Sequence, residues 1–564
     1  MARGPDALAV DEGEMTTNAA IFYASDGYRP GDKGINGRRV AGESFLRGFV
    51  SHAEVDEFVI LTKSNPEAEE VRALVKAHRP EKSLRPVGFL RPAQIAPCEV
   101  LYYPAANIAG ESWRRADSGT GAWAICGLTH TTSTQGIMNG FFDLRMAPVM
   151  AWDAVICTSR AVQASVSTQM DLIDAHIRQR FQTEPPPRPM LPVIPLGVHS
   201  GDFIRDEAAR AALRDRLGAG PDDVVFVTIA RLTPHEKFDP VPIYLAMQAA
   251  QAQLGDRKLH VVFCGQFKHD YARKVFAEGA ARLMPDVGYL ELDGASASDR
   301  KMTLSGGDVF LFMIDNIQET FGLAPLEGMA AGLPVLASDW DGLKDTVTPE
   351  VGFRVTSRML PPGHMVNESL RFQGGIDEYT QYCAAVSAMT ELDMAEMVAR
   401  ILDLARGPGL RARMGQAAAR RAREVYDWKA VIPQMQALWG EQAAMRRAAG
   451  GAAYRIAGVG LPIAPSPGLL FGSYPSAALE PAREVYVANP AAGDLTAILA
   501  LRNYQGLNRI FAEPAQIAAV LEAVKAGEGR VTALAQTVKL PQLVVERVVI
   551  WLLKYDFIRR GPAD

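Results

Sequence analysis

The 564-residue chain predicts an α/β protein: two doubly wound parallel-sheet domains in tandem, facing a cleft, with a small helical module behind them. Three observations carry this reading. Short apolar runs alternate with helical patterns in two successive series, which is the signature of a parallel sheet with crossover helices. A proline-rich stretch at 182–192 (QTEPPPRPMLP) leads up to the boundary between the series. A Gly/Ala/Pro-rich passage at 448–481 then sets off a short segment with three helical patterns of its own.

Taken in order, residues 1–18 are polar and read as a disordered N-terminus. The first domain, 19–203, opens with a buried strand at 19–24. It runs into GYRPGDKGINGRRVAGESFLRGF, where Gly31, Gly34 and Gly37 punctuate a loop ahead of a helix carrying Val40, Phe45, Leu46 and Phe49. Glycines there let backbone amides approach a ligand, although the spacing is not the G-x-G-x-x-G of a nicotinamide site. Further strands are expected at 58–62, 100–103, 123–128, 154–158 and 192–198, with a helix at 68–78.

The second domain, 204–447, begins with a polar helix at 206–217. Strands follow at 224–229, 260–264, 288–292, 309–313, 335–338 and 352–355, with a helix at 240–254. An insertion at 357–390 reads as partly irregular, and helices at 393–405 and 410–436 close the domain. The passage 448–481 reads as a linker or arm. In the last module, 482–564, helices at 514–526, 531–540 and 541–555 suit a helix-turn-helix or winged-helix unit. From Pro514 to Asp564 there are seven Lys or Arg against five Asp or Glu, so a basic DNA-binding face is not evident. The module is expected to serve interaction or dimerisation instead.

Composition narrows the class. Hydrophobic residues make up 48% and charged residues 22%, as in soluble globular proteins, and a net charge of -5 gives nucleic-acid binding no support. Cys98, Cys126, Cys157, Cys264 and Cys383 are scattered without a C-x-x-C pair, which favours buried thiols in a reducing compartment over disulfides or zinc. No apolar run approaches the roughly 20 residues of a membrane span, and the start does not read as a signal peptide. A cytoplasmic protein with at most peripheral membrane contact is expected.

The densest set of signals lies at 308–342 (DVFLFMIDNIQETFGLAPLEGMAAGLPVLASDWDG), read as strand, loop, helix, strand. A loop and helix N-terminus at the carboxyl end of such a strand suit a phosphate-bearing ligand. A phosphate-bearing ligand there needs fixed cations and amides aimed at its charge. Arg231 follows the 224–229 strand and Lys237 lies six positions later, so both could converge on the cleft floor. Glu319 and Glu327 bracket the loop, one before the helix and one inside it. A helix residue favoured by the dipole is the plainer account of Glu327. His130, in GLTHTTS, follows the 123–128 strand; His199, His235 and His269 have no comparable context.

Glu319-T-F-G-L-A-P-L-Glu327 followed by GMAAGLPV resembles the E-x7-E signature of family 4 glycosyltransferases, retaining enzymes of the GT-B fold with two Rossmann-like domains. Supporting matches are the glycine loop, WDAVICTS, VIPLGV with Phe203, IARLTPHEKF and MGQAAARRAREVYDW, so the resemblance spans roughly residues 18–445. It implies that Arg231 and Lys237 bind the leaving diphosphate, assisted by the Gly322 and Leu323 amides next to Phe321. It also implies that Glu319 contacts the donor sugar, Glu327 receives the ribose hydroxyls and His130 positions the sugar or the acceptor side. Gly34 and Gly37 would touch phosphate or acceptor, although the loop lacks the family's adjacent Gly-Gly pair.

The implied substrates are a nucleotide-diphosphate sugar, such as a UDP- or GDP-sugar, and a glycan, lipid or protein acceptor held by the first domain, with no cofactor. Asp339-Trp340-Asp341 spells the D-x-D metal signature of the other large glycosyltransferase fold. Its position after the E-x7-E unit and the cations already present argue for a metal-independent site. Two other readings keep the same residues: a GT-B phosphorylase or nucleotide-sugar epimerase, and a glycosyltransferase-like scaffold or regulator acting through the C-terminal module, with a homo-oligomer or partner bound there.

Overall fold

The computed structural model describes residues 18–29, 37–450, 453–480, 483–501, 510 and 512–562. Two compact units divide between Ile463 and Ala464. Gly31, Gly34 and residues 1–17 of the expected N-terminal tail, 1–18, lie outside the described residues; Gly37 is the first residue of a helix, Gly37–His52.

The first unit holds two six-stranded parallel sheets. Strands β1 (Ala19–Tyr23), β2 (Glu57–Thr62), β3 (Ser83–Gly88), β4 (Val100–Tyr102), β5 (Ala124–Leu128) and β6 (Ala154–Ile156) take the order β3-β2-β1-β4-β5-β6. The second sheet repeats that order with β7 (Val224–Ile229), β8 (Leu259–Gly265), β9 (Gly288–Asp293), β10 (Val309–Phe312), β11 (Val335–Ser338) and β12 (Gly352–Val355), giving β9-β8-β7-β10-β11-β12. Helices cover both faces, which is why β1, β5 and β10 are unbroken apolar runs and β7 is interrupted only by Thr228, all of them buried almost throughout. This is the GT-B architecture the sequence implies.

Edges and connections depart from the expectation. Strand β3 carries Arg85 and Pro86 and alternates exposed with buried positions, so it has no apolar run to announce it; such residues are tolerated because it is an edge strand. The stretch expected as a strand at 192–198 makes only isolated bridges, Cys157 to Val193 and Val198 to Asp427. The helix expected at 410–436 is two, Pro408–Val425 and Trp428–Ala448, broken where the Asp427 side chain accepts the Lys429 amide as an N-cap.

That last helix follows the second domain in the chain but packs on the first from its opening residue to its end. Its Gln442 side chain donates to the carbonyls of Ile125 and Trp152, and Arg446 to the carbonyl of Gly121. At its start the Trp428 indole lies in a slot between Gly48 and Gly197, where a Cβ on either glycine would come within 2.4 Å of the ring. The indole N–H donates to Ser44 Oγ at 2.8 Å. Under the first sheet, Arg115 and Asp153 form a fully buried bidentate pair whose carboxylate also accepts the Ile125 and Met150 amides. Those extra bonds supply what a buried ion pair needs to offset its desolvation.

The segment read as a partly irregular insertion is ordered. Strands β13 (Ser357–Met359) and β14 (Thr390–Leu392) pair antiparallel and frame two helices, Val366–Gln373 and Tyr379–Ala388. Just past 447, residues of the first unit still bond to the first domain, Tyr454 N–H to Thr120 and Ile456 N–H to Ala116.

The second unit packs helices Pro514–Lys525, Val531–Val538 and Gln542–Lys554 around Val520, Leu534, Val548 and Leu552. Strands β15 (Tyr486–Ala488) and β16 (Ile558–Arg560) add a two-stranded antiparallel ribbon. The three helices fall where the sequence places them, and the ribbon joins a strand before them to a strand after them. Among the described residues no helix is long and apolar enough to cross a membrane, and the five cysteines are free and buried.

Candidate functional site

In the second sheet the strand order reverses between β7 and β10, and α/β sheets bind ligands at such switch points. Both loops leaving that junction carry residues singled out by the sequence. Arg231 and Lys237 leave β7; Glu319 leaves β10. The structure brings them together: the Lys237 ammonium pairs with one oxygen of Glu319, and the other oxygen accepts the Gly322 amide at 3.0 Å. Lys237 Nζ also lies 5.2 Å from the centre of the Phe312 ring.

Burial pushes the Glu319 carboxyl up, but Lys237 and the Phe321 and Gly322 amides outweigh it and hold the group below the ordinary carboxylate range. Glu319 is therefore an anion at neutral pH. Gly322 caps the helix Leu323–Ala330 at φ +88°, a left-handed conformation that glycine adopts without a Cβ penalty. Phe321 is a core side chain, edge-on to Tyr426, so only its backbone faces the loop.

Arg231 is held by Glu236, at 3.0 Å through Nη1, and by the Gln318 side chain. Glu236 was not anticipated. Its Oε1 also accepts Lys268 at 2.6 Å and Thr380 at 2.7 Å, and the carboxylate is nearly buried. Burial raises its pKa; Lys268, Thr380 and Arg231 more than reverse that. The signal was present as the one carboxylate between Arg231 and Lys237, but its partners lie far along the chain. Asn316 ties the loops together by donating to the His235 carbonyl while its own carbonyl accepts the Trp340 indole N–H.

The first domain reaches this site through the loop after β5. The His130 carbonyl accepts Thr320 Oγ1 at 3.1 Å, which sets the histidine's backbone against the Glu319 loop. Three residues on, Ser133 Oγ meets the Tyr379 hydroxyl of the insertion at 2.8 Å.

Glu327 lies on the Leu323–Ala330 helix and lines a cleft of about 450 Å³ between the domains. Arg300 and Lys301 face it from the second domain, and Glu43, Arg47 and His199 from the first. Burial raises the Glu327 pKa to about 7, with Arg300 pulling the other way. His199, given no role from the sequence, is a cleft-wall residue bonded to the Ser44 carbonyl at 3.1 Å.

The two aspartates of the D-x-D sequence are engaged separately. Asp339 pairs with Arg354 at 3.0 Å, and Asp341, at φ +39°, accepts Ser159 Oγ of the first domain at 2.9 Å. Among the described residues no group of three or more His, Cys, Asp or Glu side chains is placed to hold a metal ion.

Residues 223–369 match the family model described as "Glycosyl transferases group 1". The chain is 25% identical, over 56% of its length and 81% of the relative's, to a GDP-mannose-dependent monoacylated alpha-(1-6)-phosphatidylinositol monomannoside mannosyltransferase of Corynebacterium glutamicum. It is 28% identical to a GDP-mannose-dependent alpha-(1-6)-phosphatidylinositol monomannoside mannosyltransferase of Mycolicibacterium smegmatis, over 31% of this chain and 45% of that one. Solved structures of similar arrangement include sucrose-phosphate synthase of Thermosynechococcus elongatus, at TM-score 0.46 and 16% identity over 76% of this chain and 100% of that one. Anabaena HepE in complex with UDP aligns at TM-score 0.47 and 14% identity over 75% and 99%.

Fold, switch-point site and family match together support a GT-B glycosyltransferase. The family model covers 223–369, the part of the second domain that carries Arg231, Lys237, Glu319 and Glu327.

Proposed function

We propose that the chain is a retaining, metal-independent glycosyltransferase. It moves a glycosyl group from a nucleotide-diphosphate sugar to a hydroxyl of an acceptor bound mainly by the first domain. One observation carries this reading: Arg231, Lys237, Glu319 and the Gly322 amide converge at the point where the second sheet reverses its strand order. The names of the two mannosyltransferase relatives make GDP-mannose the first donor to test and a lipid-linked glycan the first acceptor class.

As the glycosidic carbon–oxygen bond of the donor breaks, charge accumulates on the diphosphate. Arg231 and Lys237 stabilise it, the first as a two-pronged donor and the second as a compact charge. Glu319, ionised, accepts hydrogen bonds from donor-sugar hydroxyls. Glu327 takes the ribose hydroxyls, and His130 positions the sugar from the first-domain side. Attack on the same face lets the departing phosphate oxygen receive the acceptor's proton, so no side chain need serve as base. The cations supply the charge a metal would bring, and the reaction is expected to survive chelation.

Thermal-shift screening of UDP- and GDP-sugars, followed by nucleotide release with and without acceptor and NMR assignment of the product anomer, tests the proposal. An inverted product would overturn retention; the absence of stabilisation by any nucleotide sugar would overturn the donor assignment.

A further inference from the structure

The insertion reaches the site through its second helix, Tyr379–Ala388. Its first residue, Tyr379, places a hydroxyl 2.8 Å from Ser133 Oγ, with the Cys383 thiol and the Gln318 side chain close to it. Ser133 is three residues from His130, and Gln318 adjoins Glu319. The next residue, Thr380, donates to Glu236 at 2.7 Å, the carboxylate that aims Arg231.

The ring is held firmly. Phe372 lies 6.1 Å from Tyr379 and stacks on Tyr382 at 4.5 Å and 5°. Glu378 and Gln381 form a reciprocal capping box at the helix start. The preceding loop is closed by the Arg371–Asp377 ion pair and tied to the first domain by Gln135, which donates to the Gln373 carbonyl at 3.2 Å.

Resting on the glycosyltransferase reading above, we propose that Tyr379 reads the donor sugar: its hydroxyl hydrogen-bonds a hydroxyl of the transferred ring and so contributes to donor selection. Three points carry this. The hydroxyl stands between the two loops assigned to the sugar, one from each domain. It is a neutral group that both donates and accepts, which suits a sugar hydroxyl, whereas the diphosphate is matched by the Arg231 and Lys237 cations. It also sits on a capped, packed helix, so the contact costs little ordering on binding. The insertion thereby becomes part of the donor pocket, with Thr380 a positioning residue for Arg231 through Glu236.

The test compares the full-length wild-type chain with Tyr379→Phe by calorimetric titration against UDP, GDP, UDP-glucose and GDP-mannose. Phenylalanine keeps the ring packing and removes only the hydroxyl. For the sugar nucleotide that wild type binds best, affinity is expected to fall roughly three- to tenfold. Affinity for the matching nucleotide diphosphate should stay within about twofold. A merely structural Tyr379–Ser133 bond would move both affinities together, so parallel losses, or no loss, overturn the proposal while leaving the glycosyltransferase reading intact. A wild-type chain that binds nucleotide diphosphates but no sugar nucleotide overturns both.

Discussion

Lys237 and Glu319, 82 positions apart in the chain, form an ion pair whose carboxylate is also bound by the Gly322 amide. Cation, anion and helix start are thus one unit. Lys237→Ala should leave Glu319 without its main counter-charge and the diphosphate without one of its two cations. A fall in kcat/KM of about 10²- to 10³-fold is expected, the range seen when a preorganised charge-stabilising donor is removed. Steady-state nucleotide release measures it, and wild-type kinetics would sink the assignment.

Glu236→Ala separates aiming from charge. Arg231 remains but loses the carboxylate that orients it, and Lys268 and Thr380 lose the same partner. Donor turnover should fall between tenfold and a hundredfold, as for a misplaced catalytic group. Glu236→Gln, which keeps the shape and one acceptor, should recover part of the loss.

Glu327 titrates near pH 7 in the free protein. A carboxyl raised above its unfolded value binds more protons when folded, so its contribution to stability is fully present below pH 4.5 and is lost as pH rises through about 7. Asp315 and Asp341 are raised to about 7 as well, by burial first, so the informative quantity is the difference between wild type and Glu327→Gln. Over that interval wild-type melting temperature should drop relative to the variant. Donor affinity should move oppositely, rising as the carboxylate forms to accept the ribose hydroxyls.

Gly197→Ala should destabilise the first unit without touching the site chemistry. A Cβ there would sit 2.4 Å from the Trp428 ring in a slot closed on its other side by Gly48. Overpacking of this kind costs about 1–3 kcal/mol, to be read from denaturant unfolding of wild type and variant.

What the sequence revealed follows from how local each signal is. Buried parallel strands announce themselves as apolar runs, and β7, β10 and β11 were readable for that reason. The Glu319–Glu327 loop was readable because its turn, cap and helix are consecutive. Edge strand β3 was not, since Arg85 and Pro86 hide it and only pairing with β2 reveals it. Glu236 looked like one charge among several in TPHEKF until folding brought Lys268 and Thr380 to it. The insertion looked irregular because its helices are short and their bonding partners, Ser133, Gln135 and Glu236, lie far along the chain. The break at Asp427 carried a local clue, an Asp before Trp in REVYDW, but the reason for stopping there is Val198, more than two hundred residues earlier.

The polypeptide passes between the two domains twice, at 198–203 and again at 426–428, and the passages are hydrogen-bonded to each other: Val198 N–H to the Tyr426 carbonyl and Trp428 N–H to the Val198 carbonyl. Two bodies joined by a single flexible strap can swing and also twist. Joined by two straps laced side by side, with an indole wedged beneath them, they keep mainly the swing. The cleft that holds Glu327 should then open and shut about one axis beside Trp428, like a book on its spine, returning Lys237 and His130 to the same register on every closure.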